Sequence, residues 1–191
     1  MAKFKYKKPE NHVKKRSELS PAIKQTLLES IREQWPEHPR YNGMANFWLG
    51  IHRSLLNGSH QLANGFEALL DTPPSEVQDA LNAAKLQQFG NHLISQLHHH
   101  HEIEDHNYFP QFIQLYPNME HAINLLDGDH QVLHQALEDT QLALVDLVAQ
   151  KPIDRDMIAQ VAKGSRELEK IITRHLWDEE EIIIPILLEH G

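Results

Sequence analysis

HHHHEIEDHNYFP, residues 98–110, and RHLWDEEEIIIP, residues 174–185, share one spacing. Each holds a histidine, a glutamate four residues on and a proline six residues after that: His100, Glu104 and Pro110, then His175, Glu179 and Pro185. Residues four apart on a helix lie one above the other on one face, roughly 6 Å apart along the axis. An imidazole and a carboxylate stacked in this way can both reach into one polar cavity. Two such pairs on two helices supply what a pair of metal ions needs from a protein.

Outward from these stretches the chain reads as long amphipathic helices with no strand pattern. One segment covers 42–70 and stops before Asp71-Thr72-Pro73-Pro74. A second begins at a Ser75 cap, with Gln78 three residues on, and runs towards Tyr116-Pro117. A third runs from Asn118 to Gln150, before Lys151-Pro152, and a fourth from Asp154 nearly to the end. Short connections make consecutive long helices antiparallel, so the expected fold is all-α, an up-down-up-down four-helix bundle over 42–191. A short extra helix over 20–35 precedes it, with Ser20 as N-cap, Pro21 in the first turn, and Ile23, Leu27 and Ile31 as its apolar stripe before Trp35-Pro36. Residues 1–19, rich in lysine and including Arg16, read as a basic, loosely ordered arm. Pro110 and Pro185 each remove a bond to the carbonyl four residues earlier, so a bend or helix end is expected at both.

The chain has 191 residues, enough for one domain with a substantial core. The absence of cysteine excludes iron–sulfur clusters, thiolate zinc sites and disulfides, leaving nitrogen and oxygen ligands for any metal. No amino-terminal apolar run resembles a signal peptide, and no stretch of about 18 apolar residues offers a membrane span, so a soluble cytoplasmic protein is expected. A formal charge of −9 argues against a nucleic-acid partner. Fifteen histidines is a marked excess, and five of them fall at 98–101 and 106.

If the second and fourth helices carry the paired stretches, the first and third must supply further ligands at the same height. Counting from the connection near 117, Glu104 lies level with His130 and His100 with His134. The connection near 152 sets His175 opposite about residue 129, again favouring His130. His130 and His134 are four apart and can both face inwards. In the first helix, reflecting His100 through the connection near 73 lands near 46, which favours His52 over His60. His98/Glu102 and His101/Asp105 are also four apart, but the matched interval to Pro110 and Pro185 selects His100/Glu104. His101 and Asp105 then point about 100° away, onto a partly exposed face. Trp48, Ile103, Phe109, Trp177 and Ile182 are read as core or as the apolar wall of the site. One histidine on an apolar face is usually just hydrogen-bonded; five histidines and two glutamates at one level on four helices point to metal.

These residues resemble the hemerythrin-like (HHE cation-binding) family over about 42–190. The specific part is HHEIEDHNYFP, with its His-His-x-x-Glu-Asp and terminal Phe-Pro, echoed by HLWDEEEIIIP. The resemblance implies a non-haem di-iron centre, two iron ions with an oxo or hydroxo bridge. Its ligands would be His52, His100, Glu104, His130, His134, His175 and Glu179, with the two glutamates bridging. The last pair departs from the His-x-x-x-x-Asp of the oxygen-carrying hemerythrins of marine invertebrates and is similar to that of bacterial relatives.

Two octahedral ions offer about twelve positions. A bridging oxygen takes two, two bridging glutamates four and five histidines five, leaving one vacancy for a small ligand; without His134 there are two. The implied function is binding of dioxygen or a related ligand, nitric oxide or peroxide, for carriage, storage or sensing. An alternative is a di-iron enzyme reducing peroxide or nitric oxide in oxidative or nitrosative stress defence, and another is a histidine-rich bundle that buffers metal. No Ser/His/Asp arrangement, phosphate loop or dinucleotide fingerprint points to a different enzyme class.

Overall fold

The computed structural model describes residues 4–149 and 153–190, and every regular element among them is helical. The first helix, α1 (Pro21–Lys24), starts as expected: the Ser20 side chain accepts from the Ile23 N–H and Pro21 sits in the first turn. It ends after one turn. Thr26 Oγ1 bonds the Ile23 carbonyl at 2.8 Å, taking the acceptor the next helical residue needs. The helix expected over 20–35 is therefore this turn followed by a separate 3₁₀ segment, Arg32–Glu37, built around Trp35-Pro36. Ile31 is 55 % exposed, so its predicted stripe with Ile23 does not form.

A wide turn, Tyr41–Ala45, leads into α2 (Asn46–Leu70). The second long helix is interrupted: α3 (Val77–Ala83) ends at Ala84, Lys85 takes a left-handed backbone (φ 51°), and α4 (Leu86–Ile103) begins again from there. Ser75 is not a cap; Glu76 precedes α3 with no side-chain cap bond. A π turn, Glu104–Tyr108, joins α4 to α5 (Phe109–Leu115), and Pro110 falls in the first turn of α5. Here the Phe109 N–H reaches the Glu104 carbonyl, five residues back, where the ladder has to adapt to a proline that cannot donate. After a 3₁₀ turn, Pro117–Met119, come α6 (Glu120–Ala149) and α7 (Arg155–His190). Pro185 lies inside α7 without ending it. Gln150 and the Lys151-Pro152 connection lie outside the described residues.

The chain divides into two compact units, and α2, α4, α6 and α7 contribute to both. The unit of Leu55–His100 and Leu133–Ile172 is packed around Leu62, Phe66, Leu97, Leu137 and Leu144, all nearly or fully buried. Close approach depends on missing side chains: a Cβ on Gly58 or Gly65 would come within 2.9 or 2.5 Å of Leu93 or Leu86. Residue numbers rise along α2 as they fall along α4, so this pair is antiparallel. Gly90 against Leu144, and His98 against His134 (ring centroids 4.8 Å), show the same for α4 and α6.

The unit of Met1–Ser54, His101–Val132 and Thr173–Gly191 has its own apolar core. Leu19, Ile23 and Trp35 pack there with Phe109, Leu126, Ile183 and Ile186. Within this unit the basic stretch expected to hang loosely is docked. Val13 and Leu19 are 3 % exposed and Arg16 6 %. Arg16 enters because two acidic partners, Asp129 and Asp178, wait for it far along the chain. No helix among the described residues is long and apolar enough to cross a membrane.

Candidate metal centre

Three histidines meet in the unit of Met1–Ser54, His101–Val132 and Thr173–Gly191. His101 of α4, His130 of α6 and His175 of α7 are buried, and each offers a ring nitrogen within 4.8 Å of the others. The His101 ring stacks on His130 at 4.2 Å between centroids. His130 Nε2 and His175 Nε2 lie 3.2 Å apart. Phe109 stacks on the other face of His130 at 5.3 Å, an apolar wall as expected. A second group, with donors again within 4.8 Å of one another, comprises His52, His100, Glu104 and Glu179. His100 is half-buried, one turn before Glu104 on the same continuous chain.

Carboxylates back the histidines from behind. Asp105 Oδ1 is 2.7 Å from His130 Nδ1, Asp129 Oδ2 is 3.3 Å from His175 Nδ1, and Glu180 Oε1 is 3.1 Å from His52 Nδ1. A carboxylate on Nδ1 fixes the tautomer with its proton there and leaves Nε2 as a lone-pair donor. All three Nε2 atoms then face the same interior. His52 Nε2 is 3.3 Å from Glu179 Oε1, His175 Nε2 is 3.4 Å from Glu179 Oε2, and His130 Nε2 is 3.4 Å from Glu104 Oε2. Glu179 thus turns one oxygen to each histidine group. Its Oε1 also accepts from Trp48 Nε1 at 2.7 Å, so Trp48 does more than fill the core.

The electrostatics follow from burial among these charges. Burial drives the Glu104 carboxyl well above its ordinary range, and Glu179 beside it pushes the same way. Burial opposes protonation of His52, but Glu179 and Glu180 outweigh it and push the imidazole up to about 9. His175 is likewise raised, against its own desolvation, by Asp129 and Glu179.

Six of the seven residues singled out from the sequence fall in the two groups. His134 does not: its side chain is 59 % exposed and pairs with Glu138 at 3.1 Å. His101, expected on a partly exposed face, is buried, and Asp105 one turn on holds His130. His60 is 61 % exposed and bonded to Glu169, whereas His52 is fully buried. Trp177, expected in the core, is 51 % exposed and lies under Arg32. Asp129 and Glu180, which back His175 and His52, belong to the site although no spacing in the sequence marks them.

The domain model for the hemerythrin HHE cation-binding domain matches residues 44–187. The chain belongs to this family. Comparison with curated proteins and with solved structures finds no match. The donor set fits the cation that an HHE domain takes. With both Nδ1 protons committed to carboxylates, His130 and His175 present two lone pairs to each other, a repulsive arrangement until a cation or proton lies between them. Metal–imidazole bonds of about 2.0–2.1 Å set two adjacent ligands roughly 3 Å apart, close to the spacing seen here. Nitrogen and carboxylate donors without sulfur suit iron, manganese, zinc or copper.

Proposed function

We propose that this HHE domain holds two iron ions and binds dioxygen or a related small ligand, nitric oxide or peroxide. One ion would be held by His101, His130 and His175, the other by His52 and His100, with Glu104 and Glu179 shared. The observation that carries the two-ion reading is Glu179, whose oxygens face His52 on one side and His175 on the other. Iron at this centre would supply a redox-active vacancy for a diatomic or peroxide ligand. With His101 in place of His134, five histidines, two bridging glutamates and a bridging oxygen would again leave one vacant position of about twelve. A single vacancy favours binding of one small ligand over chemistry spread across both ions. The protein supplies orientation through Asp105, Asp129 and Glu180, and an apolar wall through Phe109. The antiparallel contacts of α2 with α4 and of α4 with α6 support an up-down-up-down arrangement of these helices.

The test is metal analysis of untagged protein, with its visible spectrum followed through cycles of argon and oxygen. About two iron ions per chain and a band that appears and fades reversibly are expected. Turnover of peroxide or nitric oxide with a reductant would move the assignment to an enzyme. Substoichiometric metal, unaffected by His175→Ala, would leave only a metal buffer.

A further inference from the structure

We propose that the segment ahead of the family-matched residues serves the metal centre: Tyr6 and Arg16 position His175 through Asp129, and Arg32 positions His52 through Glu180. This rests on the two-ion reading above. The matched region begins at residue 44, so none of these three side chains belongs to it. Arg16 Nη1 donates to Asp129 Oδ1 at 2.8 Å, Arg16 Nη2 donates to Asp129 Oδ2, and Tyr6 donates its hydroxyl to Asp129 Oδ1 at 2.7 Å. Asp129 Oδ2 in turn meets His175 Nδ1. On the other side, Arg32 Nη1 donates to Glu180 Oε2, whose companion Oε1 meets His52 Nδ1 at 3.1 Å. Each donor group therefore has one histidine aligned by a carboxylate that an arginine of this segment holds.

The arrangement has a physical purpose beyond attachment. Asp129 is fully buried, and the Arg16 guanidinium bonded to both of its oxygens supplies the positive charge that an anionic carboxylate needs there. An anionic Asp129 is the acceptor that keeps His175 in its Nε2-donor tautomer and raises its basicity as a ligand. Arg16 also holds Asp178 at 2.8 Å, which anchors the segment to α7 three residues beyond His175. Tyr6 lies on Gly128, where a Cβ would collide with its ring. The glycine next to Asp129 thus admits the donor that Asp129 uses.

Iron-loaded full-length protein and its Tyr6→Phe, Arg16→Lys and Arg32→Gln variants test this, with Lys24→Ala, an exposed partner of Glu18 in the same segment, as control. Three quantities are read: the rate of iron loss to a chelator, the position of the visible band, and the melting temperature of the metal-free form. Losing a partner behind a ligand costs about 10–100-fold in metal affinity, so about tenfold faster loss is expected for the arginine variants and about threefold for Tyr6→Phe. The band should shift in all three, and Lys24→Ala should match the parent. If Arg16→Lys does not fold, Tyr6→Phe and Arg32→Gln carry the test. Parent-like release and spectra, with only the metal-free melting temperature lowered, would reduce the segment to structural packing and overturn the proposal. A parent protein holding fewer than two ions would overturn the two-ion reading first, and this one with it.

Discussion

Metal uptake should respond to pH well above the range of a free imidazole. An unperturbed histidine titrates near 6.5, which by itself would confine proton competition to acidic conditions. His52 is pushed up to about 9, because Glu179 and Glu180 outweigh the burial that opposes its protonation. Its Nε2 must be neutral to hold a metal, so the proton has to leave as the cation enters, and lower pH weakens binding. At pH 7, about two units below that value, only about one molecule in a hundred carries a neutral His52 before metal arrives. Raising pH from 7 to 8 should therefore strengthen binding by about tenfold, or about 1.4 kcal/mol, from this residue alone. His175 and Glu104 also hold their protons more tightly than usual, and their displacement adds to the slope. The assay is anaerobic titration of metal-free protein with ferrous ion at several pH values against a competing chelator, paired with proton release in weak buffer. An affinity that stays flat between pH 7 and 8.5, with no proton released, would show that the His52–Glu179–Glu180 cluster is not where the cation goes.

The same shift gives the metal-free fold an opposite slope. The His52 contribution to stability is complete below about 6.5 and lost as pH rises through about 9, so the metal-free melting temperature should fall by several degrees between pH 7 and 9.5, measured by circular dichroism. His134→Ala should leave metal content unchanged and stability within about 0.5 kcal/mol, as for other exposed sites, while His101→Ala should lose at least one ion per chain by elemental analysis. Trp48→Phe keeps most of the packing but removes the donor to Glu179, so iron should be retained with about 10–100-fold weaker affinity and a shifted visible band.

Long-range periodicity made most of the helices legible, because an amphipathic stripe over many residues has no other use. The segments expected over 42–70 and from 154 onwards correspond to α2 and α7 within a few residues. What could not be read were the places where a local bond defeats periodicity. Thr26 captures a carbonyl and ends α1, Lys85 turns left-handed between α3 and α4, and a π turn carries the chain past Pro110. The amino-terminal stretch failed for a different reason. Its composition looks like a solvated tail, whereas the acidic partners of the buried Arg16 lie more than a hundred residues away. Composition carries no information about such pairs.

At the centre, the register count brings in His134 and the matched interval to the prolines sets His101 aside in favour of His100, because both treat the site as a point, reached by one residue per turn. A two-ion site is wider than that. Adjacent residues about 100° apart on a helix can each face a different group of donors, and His100 and His101 do so. The same division recurs on the other helices. His130 faces inwards while Asp129 backs His175; Glu104 faces inwards while Asp105 backs His130; Glu179 faces inwards while Glu180 backs His52. The reason is chemical. Each ligating imidazole needs an acceptor on its Nδ1, and the nearest available position is the residue beside a ligand on a neighbouring helix. Doublets such as His-His, Glu-Asp, Asp-His and Glu-Glu are therefore what a carboxylate-backed two-ion cage requires, and the residue beside each ligand is buried or part-buried. On that logic, Asp105→Asn, Asp129→Asn and Glu180→Gln should each loosen the ion whose histidine they back, leaving the helical content of the fold intact.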